Sequence, residues 1–302
     1  MSFSTEVKGE LCHLPMTDPG ENRAELAGLL ATAAIANAVL KFVTESAFVA
    51  GRLRKLSRAL YGDGGLTLDF DGERPGGRRR LYRIGCENAA QVQRICRDCR
   101  IGEGGRIAKV PPYFLAHQKH LKAYLRGVFL GSGFITDPKK DYHLEIVHKC
   151  ASLLESMAAI LTGYDIKAKL HRRGGDCVLY LKESGSIADF LGIVGAHKAM
   201  LRLEDLKIVR GMRNDVNRQV NCDVANLHKT TTAAQSQIDV IRRIDDAVGI
   251  AQLPPDLKQL AALRLENPDY SLKELGEQMD PPMPKSAVNY RLNKLKKMAR
   301  EI

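Results

Sequence analysis

The chain contains no tryptophan, and aromatic residues make up only 6% of its 302 positions. It also lacks the roughly 20 consecutive apolar residues that a helix needs to cross a bilayer. The longest apolar run, residues 26–40, is interrupted by Thr32 and Asn37, and several acidic residues lie among the first 25 positions, where a signal peptide would need an apolar block. These absences predict a cytoplasmic protein with no membrane partner.

A disulfide framework is not indicated either, because the seven cysteines are odd in number and scattered through a long chain. Cys96 and Cys99, followed by His117 and His120, suggest a zinc site as an alternative. The two histidines are closer together than is usual in structural zinc sites, however. We therefore predict no metal and no cofactor, and we leave open whether Cys96 and Cys99 have a role. No catalytic serine or cysteine motif accompanies them.

The chain carries an excess of positive charge, with 46 Lys and Arg against 35 Asp and Glu, a formal net charge of +11. Such an excess in a cytoplasmic protein favours binding to nucleic acid, although an unspecialised basic surface remains the simpler alternative. The excess is concentrated in three local clusters, at residues 78–83, 167–173 and 285–300.

An internal repeat organises the first two thirds of the chain. Leu-Ala-Gly-Leu-Leu-Ala-Thr-Ala-Ala at 26–34 aligns with Leu-Arg-Gly-Val-Phe-Leu-Gly-Ser-Gly at 125–133. Each stretch is followed by a strand-like run, a helix-like segment, two more strand-like runs and a last helix-like segment, and the alignment matches Leu81-Tyr82 with Leu179-Tyr180. In chain order these segments are 41–44, 46–61, 66–70, 79–84 and 88–100 in the first repeat, and 143–147, 148–162, 166–170, 177–181 and 186–200 in the second. We predict an α+β domain over 21–205, built from two pseudo-symmetric αββαββα repeats at about 21–110 and 118–205, behind an N-terminal extension at 1–20.

The opening helix of each repeat carries small residues four positions apart, Gly28 with Thr32 and Gly127 with Gly131. Residues at this spacing share a helix face, and small side chains there allow two helix backbones to approach closely. The pattern predicts a helix–helix seam between the two repeats.

These helices and their trailing strands resemble the LAGLIDADG homing-endonuclease fold. The resemblance implies two helices packed along a pseudo-two-fold axis, with a saddle of strands that sits on DNA. In that family the eighth motif residue is a carboxylate that binds a divalent metal for phosphodiester cleavage. The eighth positions here are Ala33 and Ser132, which offer no carboxylate oxygen. The resemblance therefore implies the fold without the enzyme activity.

The saddle strands contain a second set of candidate DNA contacts. Alternation along 166–173 places basic side chains on one face of a half-buried strand and apolar ones on the other. In the first repeat, acidic residues occupy the corresponding face, offset by the nearby arginines. Whether this domain touches DNA stays open; the candidate contacts are Lys167, Lys169, Arg173, Arg78, Arg79 and Arg80.

A helix-turn-helix is predicted over residues 253–302. Ser271 and Glu274 form a capping-box pattern, a proline-rich turn follows at 280–284, and the last helix carries an apolar stripe opposite a polar, cationic face. In such a motif the second helix enters the major groove of double-stranded DNA. The turn is longer than usual, and a small helical bundle with a solvated basic face is the alternative. The predicted DNA-binding residues are Ser271, Lys285, Ser286, Asn289, Tyr290, Arg291, Asn293, Lys294 and Lys297.

Residues 206–252 form a bridging segment with apolar side chains at helical spacing, among them Val209, Met212, Val216 and Val220. We interpret this segment first as an amphipathic helix that docks on the preceding domain. A surface of Asn and Arg that grips DNA or a protein partner is the alternative.

The combination of a degenerate LAGLIDADG domain with a helix-turn-helix resembles the WhiA family of bacterial DNA-binding regulators. The strings Leu-Arg-Leu-Glu-Asn-Pro at 263–268, Ser-Leu-Lys-Glu-Leu-Gly at 271–276 and Lys-Ser-Ala-Val-Asn-Tyr-Arg-Leu at 285–292 carry this resemblance. It implies a nucleoid-associated factor or transcription regulator in cell division, chromosome segregation or sporulation, with another transcription regulator or RNA polymerase as a possible protein partner. A metal-dependent DNA endonuclease and a protein-interaction or ligand-sensing module remain the alternatives.

Overall fold

A computed structural model describes residues 2–70, 81–102, 105 and 107–302, and its contacts divide the chain into two units, Met1–Arg210 and Gly211–Ile302. The helices are α1 (Phe3–Cys12), α2 (Pro19–Leu30), α3 (Ala47–Tyr61), α4 (Ala89–Asp98), α5 (Pro112–Leu115), α6 (Gln118–Ser132), α7 (Ala151–Thr162), α8 (Ser184–Val194), α9 (His197–Ala247), α10 (Pro255–Glu266), α11 (Leu272–Glu277) and α12 (Lys285–Glu301). The strands are β1 (Ala34–Ala36), β2 (Val39–Thr44), β3 (Thr67–Phe70), β4 (Tyr82–Cys86), β5 (Gly133–Ile135), β6 (Leu144–His148), β7 (Lys169–Arg173) and β8 (Asp176–Leu181).

The described strands of the first unit form two antiparallel four-stranded sheets, ordered β1-β2-β4-β3 and β5-β6-β8-β7. Each sheet therefore has the same strand order, and each follows a long helix, α2 or α6. This arrangement confirms the predicted α+β class, the internal repeat and the all-helical C-terminal region. The very short strands β1 and β5 complete each sheet at its edge.

The strand registers correct the alignment of the last strands of the two repeats. Gly85 pairs with Lys41 and Thr67, while Tyr180 pairs with Glu145 and Lys169. Gly85 therefore occupies in the first sheet the position of Tyr180 in the second, and the match of Tyr82 with Tyr180 was wrong. The connection between β3 and β4 is longer than the tight turn between β7 and β8, so a fixed spacing between repeats does not carry through it.

Several element boundaries also differ from the prediction. The strand expected at 166–170 forms at Lys169–Arg173, and the helix expected at 186–200 is broken. Gly195 has φ of +97°, a conformation that favours glycine, and it ends α8 before α9 begins at His197. The strand expected at 79–84 forms at Tyr82–Cys86, and its first two expected residues lie outside the described part of the chain.

Residues 1–20, which the sequence indicated only as an extension, contribute helix α1 to the core of the first unit. Phe3, Val7 and Leu11 are buried in the same apolar cluster as the two repeats. Lys8 on this helix donates from Nζ to the Leu130 carbonyl oxygen at 3.1 Å, and burial lowers the pKa of Lys8 to about 8. The N-terminal residues are therefore an integral part of the first unit.

Helices α2 and α6 pack face to face at the predicted seam of small residues. A Cβ atom added to Gly28 would lie 2.1 Å from the Tyr124 carbonyl oxygen, and one added to Gly127 would lie 2.2 Å from the Glu25 carbonyl oxygen. Gly131 stands against the Thr32 side chain, where an added Cβ would lie 2.3 Å from Thr32 Oγ1. No side chain larger than hydrogen fits at the two central glycines, so the seam is confirmed.

A buried ion cluster lies beside this seam. The Glu25 carboxylate accepts hydrogen bonds from Arg52 at 2.6 and 2.8 Å and from Arg126 Nε at 2.9 Å. Arg52 also donates to the Leu14 carbonyl oxygen, and Arg126 to that of Val194. One carboxylate thus links α2, α3 and α6. Through the two guanidinium groups, the cluster also binds the backbone after α1 and at the end of α8.

The second unit has its own apolar core. It is formed by Ile241 and Ile244 near the end of α9 and by the inward sides of α10, α11 and α12. Leu257, Leu275 and Val288 show no exposed surface. The last part of α9 therefore forms one side of this core, and α10, α11 and α12 form the rest of it.

Candidate nucleic-acid interface

Helix α11 begins with the predicted capping box. The Ser271 hydroxyl accepts from the Glu274 backbone N–H at 3.3 Å, and Glu274 Oε2 accepts from the Ser271 backbone N–H at 2.7 Å. The hydrogen bond from the Ser271 backbone lowers the pKa of the Glu274 carboxyl. Two backbone N–H groups at the helix start are thereby satisfied, which fixes where α11 begins.

The turn between α10 and α11 is held by Arg264, whose side chain is buried. Its guanidinium NH1 donates to the Tyr270 carbonyl oxygen at 2.6 Å and, at 3.4 Å each, to those of Asn267 and Pro268. Burial lowers the pKa of this guanidinium from its usual value. Because carbonyl oxygens from the whole turn converge on Arg264, this arginine has a positioning role that the sequence pattern did not reveal.

The longer turn between α11 and α12 folds back onto α11 at Gly276. The Met283 backbone N–H donates to the Gly276 carbonyl oxygen at 2.9 Å, and a Cβ added to Gly276 would lie 2.2 Å from the Met283 carbonyl oxygen. The close approach of two backbones therefore compensates for the extra length of the turn and sets where α12 starts.

We expect the substitution Gly276→Ala to destabilise the second unit by about 2–4 kcal/mol, because the Met283 backbone must move to admit a methyl group. Gly211→Ala is the matched control, since nothing lies within 4 Å of an added Cβ there and alanine favours the helix. Hydrogen exchange of the α11 and α12 amides measures the difference. Equal protection in the two variants would contradict this account of the turn.

Helix α12 has one buried and one exposed side, as its sequence predicted. Val288, Leu292, Leu295 and Ala299 are buried. Tyr290 is 71% exposed at the centre of the opposite side. The other predicted contact residues that are exposed on this helix are Lys285, Ser286, Asn289, Asn293, Lys294 and Lys297.

Two of the predicted contact residues already have partners within the unit. Arg291 Nε lies 3.0 Å from Asp256 Oδ2, an ion pair that ties α12 to the start of α10. The Ser271 hydroxyl is occupied by the capping box. Their side chains therefore position the helices that carry the exposed residues.

Asn289 and Asn293 also border a groove within the second unit. A cavity of about 120 Å³ separates α12 from the part of α9 that contains Ser236 and Gln237, with Lys296 at its edge. The two asparagine side chains are thus at the border between the exposed side of α12 and this groove.

The second sheet of the first unit carries the other described candidates. Lys169 lies directly opposite Tyr180, and Arg173 binds Glu145 with two hydrogen bonds of 3.2 and 3.3 Å. Burial alone would raise the pKa of Glu145, but the hydrogen bonds and charges of Arg173 and His143 hold it below its usual value. Lys167 is exposed and lies 3.8 Å from Glu183.

An aromatic and basic cluster surrounds Tyr180 on this sheet face. The ring of His171 lies 5.2 Å from that of Tyr180, the ring of His143 lies 6.0 Å away, and Lys182 Nζ is 5.5 Å from the Tyr180 centroid. The sequence analysis missed Tyr180 on β8 and Lys182 directly after it, although their spacing of two positions was a usable signal. Tyr180 itself is half-buried, and basic groups beside an aromatic ring are typical of nucleic-acid contacts.

The first sheet differs from the second at the same positions. Asp69 pairs across the strands with Arg83, and Gly85 stands where the second sheet has Tyr180. Arg78, Arg79 and Arg80 lie outside the described residues. The described part of this sheet face therefore mixes both signs of charge.

The ends of α2 and α6 bring the two eighth motif positions to one cavity. Ala33 and Ser132 line a space of about 590 Å³ together with His148, Lys149 and Asp176. The Ser132 hydroxyl donates to the Val128 carbonyl oxygen at 3.3 Å. The motif positions themselves thus bring no carboxylate to this cavity.

The described residues contain no cluster of three or more His, Cys, Asp or Glu side chains placed to hold a metal ion. Within the same part of the chain, no helix has both the length and the apolar character needed to span a membrane. The Cys99 thiol is buried near the Tyr61 hydroxyl, and burial raises the pKa of Cys99 to about 12.

Comparisons with known proteins show similarity over the full length of this chain. The family models described as the WhiA LAGLIDADG-like domain and the WhiA C-terminal HTH domain match residues 121–213 and 216–299. A "Probable cell division protein WhiA" of Desulfitobacterium hafniense (strain Y51) is 39% identical over 100% of this chain and 96% of its own length. A protein of the same name from Thermoanaerobacter sp. (strain X514) is 38% identical over 100% and 98%.

Two solved structures resemble the fold. The crystal structure of full-length DUF199/WhiA from Thermatoga maritima matches with a TM-score of 0.62 and 26% identity, covering 100% of this chain and 99% of that one. The crystal structure of the N-terminal LAGLIDADG domain of DUF199/WhiA matches with a TM-score of 0.50 and 22% identity, covering 64% and 92%. Given this agreement in sequence over the full length and in fold, the chain belongs to the WhiA family.

Proposed function

We propose that this chain is a non-catalytic regulator that binds double-stranded DNA through the exposed side of α12. The observation that carries the proposal is that this side is polar, cationic and exposed, while the opposite side of the same helix is anchored in the core of the second unit. A helix held in this way by a preceding helix and turn has the form of a recognition helix in a helix-turn-helix.

The predicted DNA-binding residues divide into those placed to contact bases, those placed to contact phosphates and those that position the helices. Ser286, Asn289, Tyr290 and Asn293 lie in the N-terminal half of α12, from which recognition helices contact base edges, and asparagine suits the paired donor and acceptor of adenine. Lysine ammonium groups attract phosphate without reading sequence, which fits Lys285, Lys294 and Lys297. Arg291 and Ser271 hold the helices in position through Asp256 and the capping box.

The same proposal assigns a role to each part of the chain. Residues 253–302 form the DNA-binding domain, 206–252 the bridging segment and 21–205 the LAGLIDADG-like domain. Relatives carry the name of probable cell division proteins. We assign this chain to the regulation of cell division, chromosome segregation or sporulation, as a transcription regulator or nucleoid-associated factor. It would work on the nucleoid in the cytoplasm, with RNA polymerase or another transcription regulator as the protein partner.

The LAGLIDADG-like domain adds secondary DNA contacts in this proposal and no cleavage. The support is chemical: Ala33 and Ser132 cannot supply the carboxylates that a metal-dependent nuclease of this fold uses, whereas Lys167, Lys169 and Arg173 carry positive charge on one sheet face. Supercoiled plasmid incubated with the protein and Mg²⁺ or Mn²⁺ is expected to stay intact. Nicking that EDTA abolishes would overturn the non-catalytic assignment.

The DNA-binding proposal is tested by the salt dependence of affinity. We expect Lys294→Ala with Lys297→Ala to weaken binding to a mixed-sequence duplex of about 30 base pairs roughly tenfold at 0.1 M salt. The slope of log K against log salt should flatten by about 2, because two phosphate contacts are lost. Fluorescence anisotropy of the labelled duplex over a salt series measures both quantities.

The control for this experiment removes the same charge elsewhere. Lys55→Ala with Lys109→Ala changes two exposed lysines that lie on neither α12 nor the second sheet. That pair should leave the slope unchanged. Equal loss of affinity in both double variants would show that net charge rather than α12 drives binding, and it would contradict the proposal.

A further inference from the structure

Helix α9 has an exposed apolar stripe in the second unit. Met212, Val216, Val220, Val224 and Leu227 are each between 52% and 67% exposed. The first interpretation of this segment, an amphipathic helix that docks on the preceding domain, expected Met212, Val216 and Val220 to be buried. A contiguous apolar surface of this kind on a polar helix marks an interaction site more often than a solvated face.

The five residues recur every three or four positions, so they share one face of the helix. Four of the five are also placed symmetrically about Arg218. Val216 and Val220 lie at equal distances on the two sides of Arg218, and Met212 and Val224 do the same. Arg218 itself points away from the stripe, at 200° around the helix from Val216 in an ideal helix with about 3.6 residues per turn.

Two charged residues of opposite sign are also placed symmetrically about Arg218. Arg213 and Asp223 are equally far from Arg218. Asp223 accepts hydrogen bonds from Gln219 Nε2 at 3.3 and 3.4 Å, which leaves its negative charge in place. In an antiparallel pair of these helices centred at Arg218, each Arg213 would face Asp223 of the other copy. A parallel pair would place Arg213 against Arg213 and Asp223 against Asp223.

We propose that the stripe is the interface for a second copy of this chain, which binds antiparallel with the four symmetric residues at its centre. A two-fold interface requires a surface that is complementary to itself. The stripe meets this requirement in both shape and charge: Val216 packs against Val220, Met212 against Val224, and the charged pair joins the two helices on each side. The pairing does not involve DNA, so its failure would leave the proposed function unaffected.

The size of the interface sets its strength. The stripe spans 16 residues, about 24 Å of helix, which gives an interface at the small end of those that hold protein pairs together. We therefore expect a reversible dimer that forms as the protein concentration rises through the micromolar range.

Sedimentation equilibrium of the nuclease-treated full-length protein tests the pairing. The wild type should change from monomer to dimer with concentration. Val216→Gln with Val220→Gln should raise the dissociation constant at least tenfold, because each change acts twice in the dimer, and circular dichroism checks that α9 stays helical. Arg218→Gln, on the opposite side of the helix, should leave the dissociation constant unchanged. A wild type that is monomeric at 100 µM, on the order of the weakest stable pairs, would overturn the proposal.

A charge exchange tests the antiparallel direction. Arg213→Asp and Asp223→Arg should each weaken the dimer severalfold, because like charges then face each other across the interface. The double variant should restore the wild-type dissociation constant, since it recreates an opposite-charge pair at both ends. Residues 213 and 223 are too far apart on one helix to compensate each other within a copy. A double variant as weak as the two single variants combined would contradict antiparallel pairing.

Discussion

Replacing Gly28 with alanine is expected to lower the free energy of unfolding of the first unit by at least about 4 kcal/mol. The added methyl group would lie 2.1 Å from the Tyr124 carbonyl oxygen and 2.9 Å from the Val128 backbone nitrogen. Both are backbone atoms of α6, which cannot move aside as a side-chain tip can. The two helices must therefore separate along the seam on which the repeats are joined.

Gly51→Ala is the control for this substitution. Gly51 lies inside α3, and nothing stands within 4 Å of a Cβ added there. Alanine is the better helix former by about 1 kcal/mol, so this variant should be slightly more stable than the wild type. Urea unfolding of both variants, followed by circular dichroism, measures the contrast. Similar losses in the two variants would show that the seam is not closely packed.

The second large effect is expected at Glu25. The substitution Glu25→Gln leaves the Arg52 and Arg126 guanidinium groups buried without the carboxylate that binds both of them. Removing one partner from a buried ion pair typically costs about 3–5 kcal/mol, and here two positive charges lose the same partner. Thermal and urea unfolding of the full chain measure the loss.

An exposed ion pair provides the comparison for Glu25. Glu6 binds Arg202 with both side chains more than 40% exposed, so Glu6→Gln should change stability by less than about 1 kcal/mol. Replacing Glu25, Arg52 and Arg126 together with leucine or methionine should recover part of the loss, because no buried charge then remains. A triple variant less stable than Glu25→Gln would mean that the arginine bonds to backbone carbonyls contribute more than the ion pairs.

Local patterns carried most of the fold prediction. The capping box at Ser271, the small residues at Gly28 and Gly127, and the apolar stripe of α12 each act through neighbours within four positions or through a repeated motif. Such signals are visible in one sequence because the residues that interact are close along the chain or occur twice. The structure contains each of these features where the sequence indicated it.

Long-range pairing was the part that the sequence did not reveal. No local pattern indicated the ion cluster at Glu25, because its partners Arg52 and Arg126 are 27 and 101 residues away. Arg291 is predicted to contact DNA, and the sequence did not reveal that Asp256, 35 residues earlier, lies beside it. The identity of an ion partner depends on the tertiary fold, and periodicity carries no information about it.

The predicted correspondence of strand residues between the two repeats was wrong for a related reason. Hydrophobic alternation places a strand but does not fix its partner residue, and a slip along the strand changes which residues correspond between repeats. Tyr82 and Tyr180 share a sequence neighbour, leucine, yet the pairings place Gly85 opposite Lys41 where Tyr180 lies opposite Glu145. The aromatic cluster on the second sheet was missed as a consequence.

The claim that α12 binds duplex DNA with its exposed side is tested most directly by the reactivity of Tyr290. The free protein should be acetylated readily at Tyr290, which is 71% exposed, and at Tyr113, which is 43% exposed in the other unit and provides the internal reference. Peptide mass spectrometry reads each site separately. With a saturating duplex at low salt, the account predicts that Tyr290 becomes strongly protected while Tyr113 does not. Tyr290 acetylation that stays unchanged under conditions where the duplex is fully bound would contradict it.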